Sequence, residues 1–305
     1  MRIGIAICLW LFGWFIGIAP VHGTKASGLL YGDGVAIVYD PVLQASADEV
    51  VSLYPEIRSK LEGIFGWELG LEPTVLLVAE HERFQKMAGS PFVVAYALPR
   101  NNGIVIDHTR MNVRPFTLGI TLQHELCHLL LHHHINEAVL PRWLDEGVCQ
   151  WASDGISEMV MDFKRSPLTG AAIQGRLIPF RYLEDRFPSQ KQELMLAYAE
   201  SKSFVNFLIA RFGRARMLGV MTRLSRGEDV DAAFTAEFGQ PVEVLERRWH
   251  KTLSRKTTLL AQLSYHLYEI IFVFGAAIMF FAFIRVMLKK RAYMKEMEDE
   301  ERTLH

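Results

Sequence analysis

Apolar positions along the chain change period near residue 115. Upstream, short runs rich in β-branched and aromatic residues stand between turn formers: 35-VAIVY-39, 74-TVLLVA-79, 92-FVVAYA-97 and 103-GIVID-107. Such runs predict strands. Between the first two, 46-SADEVVSLYPEIRSKLEGIFG-66 sets Val50, Leu53, Tyr54, Ile57, Leu61 and Ile64 at helical spacing, with Pro55 as an expected kink. Residues 99–103, PRNNG, join the last two strands as a loop or a wide hairpin. Downstream, Pro115 suits a helix start, and Leu118, Leu122, Leu126, Leu129 and Leu130 follow at three- and four-residue steps. Pro141 opens a second helix through Trp151. Residues 192–212 form a third, ended by Gly213; 214–225 and 228–237 form two more, and Pro241 opens a last one reaching about Arg255. Sheet and helix first, helices after, is an α+β order.

The two ends of the chain carry a different pattern. Residues 1–23, MRIGIAICLWLFGWFIGIAPVHG, give one basic residue, a long apolar run and small residues near Gly23. This predicts a signal peptide, with an uncleaved anchor as the alternative. The segment 267-LYEIIFVFGAAIMFFAFIRVML-288 lacks a polar face and is charge-free from Ile270 to Ile284. It predicts a transmembrane helix, with Tyr265 and Tyr268 at the interface. The domain reading is therefore 1–23 signal peptide, 24–262 exported domain, 263–288 transmembrane helix and 289–305 a short cytoplasmic tail. Basic residues flank the span on both sides, so the export signal, not the charge count, sets this orientation.

Composition adds two exclusions. A formal net charge of -1 over 305 residues argues against a nucleic-acid surface. Outside the leader only Cys127 and Cys149 remain, too few for a disulfide framework. No feature sets an oligomeric state.

The chemistry concentrates in 121-TLQHELCHLLLHHHI-135. Helix residues four apart lie about 40° apart around the axis and about 6 Å apart along it. His124 and His128 can thus present both rings to one ion, with Glu125 beside them to hold a metal-bound water, as in the H-E-x-x-H signature. His132 shares the face but lies about 12 Å from His124 along the axis, too far for one ion. His132, His133 and His134 read instead as a polar helix end favoured by the helix dipole. A third zinc ligand must come from another helix. The candidate segment, 141-PRWLDEGVCQWASDG-155, sets Asp145 and Glu146 among Trp143, Leu144, Val148 and Trp151. The alternative there is a solvated acid pair at a helix start.

HELCH, 17 intervening residues and the glutamate of WLDEG resemble the gluzincin metallopeptidases, most closely the peptidase MA-like proteins and, locally, the membrane alanyl aminopeptidases. The segments 196–213 and 233–249 extend the similarity, which covers roughly residues 74 to 250. The resemblance implies a zincin-like α+β fold, with a small mixed sheet over the motif helix and a helical lobe behind. It implies one Zn2+ per chain on His124, His128 and Glu146, with Glu125 as general base and Tyr198 as the candidate oxyanion stabiliser. A tyrosine merely packed in its helix is the alternative for Tyr198. Two departures stand out. No G-x-M-E-N segment is present, so aminopeptidase specificity is not implied. Gln150 stands where thermolysin-like enzymes carry an acid.

The implied function is a membrane-anchored, extracytoplasmic zinc metallopeptidase acting on peptide or protein substrates. A catalytically silent zincin-fold binding or assembly module is the alternative. Zincins commonly take a peptide as an added strand, and either strand of 92–107 can be that edge. If the two helices face one ion, Cys127 and Cys149 come close enough for a disulfide. The preferred expectation is two buried small apolar side chains.

Overall fold

The structure is a computed structural model that describes residues 27–111, 116–153 and 167–303; in the last helix, side chains are described up to 254, over 269–291 and at 294. The expected signal peptide, Pro115 and the side chains of Tyr265 and Tyr268 lie outside the described residues. The chain divides into two compact units, Met1–His250 and Lys251–His305.

The first unit begins with a five-stranded mixed sheet in the order β1-β2-β3-β5-β4. Its strands are β1 (Gly28–Gly32), β2 (Val35–Tyr39), β3 (Thr74–Val78), β4 (Ala95–Leu98) and β5 (Gly103–Asp107). β2, β3 and β5 run parallel, and β1 and β4 close the two edges antiparallel. β5 is buried along its whole length, as an inner strand covered on both faces must be. The hairpin expected across 99–103 forms, turning on Asn102 at φ 50°. Asparagine tolerates that left-handed conformation better than most residues. β4 starts three residues later than the sequence suggests, because its pairing begins at Ala95↔Ile106.

Helices cover both faces. α1 (Gln44–Phe65) buries Ala47, Val50, Tyr54, Ile57, Leu61 and Phe65, and runs on through Pro55 to Gly66 at φ 72°. It packs against α3 (Leu118–His134), which also contacts β4 and β5. α2 (His81–Ala88) lies across β3 and β5, where Phe84 joins Val78 and Val105.

A helical lobe follows: α4 (Arg142–Ala152), α5 (Pro167–Gln174), α6 (Lys191–Phe212), α7 (Arg214–Ser225), α8 (Val230–Phe238) and the start of α9 (Val242–Thr303). Its centre is aromatic. Trp143, Phe180, Phe204 and Trp249 form a chain of rings, with neighbouring centroids 4.6–5.6 Å apart. Trp143 thus anchors the first turn of α4 in the lobe. The orphan N–H groups of that turn are taken up by the chain before α6: Arg142 donates to the Glu184 carbonyl at 2.6 Å and Trp143 to the Leu183 carbonyl at 3.1 Å.

Two buried carboxyls hold that approach segment. Glu200 of α6 accepts the Ile178 N–H at 3.0 Å, and Glu246 of α9 accepts the Phe180 N–H at 3.1 Å. Burial pushes the Glu200 carboxyl up to about 8; the Ile178 N–H pulls against this and nearby Glu246 adds to it. A folded value above the ordinary 4.5 contributes stability that is fully present below pH 4.5. That stability is lost as pH rises through about 8. The slope is up to about 1.4 kcal/mol per pH unit. Glu200→Gln is expected to remove most of this fall, which urea unfolding between pH 5 and pH 9 measures.

In the second unit, Glu269–Arg291 spans 23 residues with a mean hydropathy of 2.5 and none of it buried. By length and composition it is long and apolar enough to cross a membrane.

Candidate metal centre

α3 has to be apolar nearly all round, because sheet and α1 lie on one side and α4 on the other. His124, Glu125 and His128 are all at most 2 % exposed within it. Thr117 caps the helix by accepting the Ile120 N–H. Gln123 ties it to the far end of α4, its amide donating to the Ala152 carbonyl.

α4 crosses α3 so that its second turn faces the histidines. His124 Nε2 and His128 Nε2 are 3.1 Å apart. Glu146 Oε2 lies 3.5 Å from the first and 3.7 Å from the second. One donor atom from each of the three residues falls within 4.8 Å of the other two, and all three residues are buried. The third candidate ligand therefore meets the histidine pair. The solvated acid pair considered for Asp145 and Glu146 is overturned, since both acids are buried.

The contacts on the far sides of the two rings favour one tautomer of each. His128 Nδ1 faces Asp145 Oδ1 at 2.7 Å, where only a ring N–H satisfies a carboxylate. His124 Nδ1 lies 3.3 Å from Ser153 Oγ, whose own hydroxyl donates to the Cys149 carbonyl at 2.7 Å. The Ser153 oxygen is thus left to accept from His124. With both protons on Nδ1, both Nε2 lone pairs point at the same place. Two nitrogen lone pairs and a carboxylate oxygen form a donor set that suits zinc, and neutral imidazoles held by outer partners are the usual arrangement.

Asp145, seen in the sequence only as an acid beside Glu146, has, like Ser153, a role that sequence reasoning missed. Its second oxygen takes His132 Nε2 at 3.1 Å, and Arg142 comes within 3.6 Å. Burial opposes its charge, but the imidazoles of His128 and His132 hold its carboxyl well below the usual carboxylate range. Asp145 therefore supplies the outer support that Gln150 does not. Gln150 instead donates to the Tyr198 carbonyl at 3.2 Å, tying α6 to α4. Arg142 reaches the other oxygen of Glu146 at 2.6 Å.

One further expectation needs correction. Cys127 and Cys149 are joined in a disulfide across α3 and α4, with Cα atoms 5.5 Å apart, and are not two free apolar side chains. Of the terminal histidines only His133 is exposed. The three form the polar last turn of α3; within it His132 meets Asp145, and His134 stacks on Trp67 at 4.9 Å and contacts the Glu68 carbonyl at 2.7 Å.

Gly147, next to Glu146, marks the closest approach of α4 to α6. A Cβ there would sit 2.6 Å from the Ser201 carbonyl oxygen and 2.7 Å from Val205. Tyr198, one turn before Ser201, is buried with its ring edge-on to Phe187 at 5.0 Å.

A comparison with protein families matches residues 87–255 to the Peptidase MA superfamily. The chain belongs to this superfamily. The matched stretch of this Peptidase MA member runs from the end of α2 into α9, so it contains Glu125, Tyr198 and all three residues of the candidate metal centre. Among solved structures, a crystal structure of an M1 zinc metallopeptidase mutant from Deinococcus radiodurans is similar at 14% identity and a TM-score of 0.46. That alignment covers 73% of this chain and 51% of the other, so the chain spans about half the length of that protein. No curated protein sequence matches.

Proposed function

We propose that the protein is a membrane-anchored, extracytoplasmic zinc metallopeptidase with one Zn2+ on His124, His128 and Glu146. The observation that carries this is the convergence of the two Nε2 atoms and one Glu146 oxygen, all on buried residues of matched donor chemistry. When bound, zinc supplies an acidified water and a polarised scissile carbonyl. The chain's own groups do the rest. Glu125, beside His124 on the ligand helix, takes the proton of the attacking water and hands it to the leaving amine. Tyr198 donates its hydroxyl to the developing oxyanion. β4, the sheet edge next to α3, accepts an extended peptide as an added strand, while β5 is an inner strand and does not.

Three features support the placement. Glu269–Arg291 is long and apolar enough to serve as the anchor, and the apolar leader reads as an export signal. A buried disulfide fits an oxidising compartment outside the cytoplasm.

A second reading, a silent binding module, has one observation in its favour: Arg142 already holds an oxygen of Glu146 at 2.6 Å. Elemental analysis of the detergent-purified chain separates the two. One zinc per chain, with peptide cleavage lost on chelation and restored by zinc, is the expected result. Zinc without cleavage across a broad peptide library favours the module, and absence of zinc sinks the peptidase reading.

A further inference from the structure

We propose that the Cys127–Cys149 disulfide is a positioning element for the metal centre, holding α3 and α4 in the register at which His124, His128 and Glu146 meet. The proposal rests on the zinc reading above. Cys127 directly precedes His128, and Cys149 lies one turn beyond Glu146. The cross-link therefore joins the two ligand-bearing turns themselves, not remote parts of the helices.

The site needs such a restraint. Before a cation arrives, no ion holds the two Nε2 atoms, 3.1 Å apart, and the Glu146 oxygen, 3.5 Å from His124, at this spacing, while Arg142 engages the other Glu146 oxygen at 2.6 Å. Ligand positions must hold to about 0.5 Å for productive geometry. Movement at Cys149 would also reach both imidazoles through their outer partners. Asp145, which takes His128 Nδ1, lies one turn before it. Ser153, which faces His124 Nδ1, lies one turn after it and donates to the Cys149 carbonyl. His128, Asp145 and Cys149 also bring a nitrogen, an oxygen and a sulfur within 4.8 Å of one another. The bond thus adjoins the carboxylate that holds the His128 ring.

A disulfide that only stapled the fold would change unfolding and leave metal affinity alone. The test uses the full chain in detergent. Zinc affinity of wild type and of Cys127→Ala/Cys149→Ala is measured by competition with a chromophoric chelator, alongside thermal unfolding of the metal-free forms. The expected result is zinc affinity at least about tenfold weaker in the double variant, with its helical signal retained. Affinity within about twofold of wild type, whatever happens to the melting temperature, overturns the proposal. If the double variant does not fold, zinc-loaded wild type is treated with a phosphine. The S–S bond breaks to two thiols, and the phosphine with one water becomes the phosphine oxide. Once thiol titration shows both cysteines reduced, zinc release to the chelator is expected to be at least about tenfold faster, and an unchanged rate in that reduced protein overturns the proposal. Wild type that binds no zinc defeats the peptidase reading and this inference together. Wild type that binds zinc no better than its disulfide-free form defeats the inference alone.

Discussion

Glu125→Gln is expected to lower kcat by about 10²- to 10⁴-fold while the protein keeps its full zinc content. The substitution preserves shape at a fully buried position, so the packing of α3 against the sheet should persist. It removes the carboxylate proposed to receive the water's proton, and no amide can act as that base near neutral pH. Glu125 is not among the three converging donors, so metal binding has no reason to fall. Peptide cleavage and elemental analysis on the same preparation check both halves. Cleavage at the wild-type rate would rule out Glu125 as the base, and lost zinc would place it among the ligands.

Asp145→Ala is expected to act on metal and fold together. Asp145 is the shared acceptor for His128 and His132 and lies within 3.6 Å of Arg142, all close to a buried site. Removing it deprives the His128 ring of the partner that fixes its tautomer, which typically costs 10- to 100-fold in metal affinity. Breaking a buried charged network from one side costs about 3–5 kcal/mol. Asp145→Asn keeps one carbonyl acceptor and should fall between alanine and wild type. Chelator competition reads the first effect and urea unfolding of the metal-free protein the second. An alanine variant with wild-type zinc affinity would contradict the role given to Asp145.

Much of this arrangement is legible in the residues, for reasons that differ from place to place. α3 and α4 could be bounded closely because long amphipathic or apolar helices have strong periods and Pro141 marks a start. β1 escaped because GLLYG is short and begins and ends in glycine, with only alternate residues half-buried. α2 escaped because one buried residue, Phe84, cannot display a period. Of the candidate site, the proposed ligand triplet follows from spacing plus resemblance. Its outer partners do not, since Asp145 and Ser153 declare themselves only once α4 is laid across α3. One signal was available: each ligating imidazole needs an acceptor for its Nδ1–H, and Asp145 was the nearest buried acid. The disulfide was equally open in sequence, because two buried cysteines look the same paired or free until their helices meet. For His132, the distance along the helix excluded it from the triplet but did not reveal its partner Asp145.

β4 is four residues long and gives way directly to Pro99. In an antiparallel strand only alternate residues turn their amide and carbonyl outward, so this rim presents about two rungs to any incoming chain. Main-chain pairing on so short a ladder makes for a shallow grip and brief residence. Under the proposed function, tethering at a bilayer would make up for that by crowding: a protease and a client confined to the same surface meet at an effective concentration far above their bulk values.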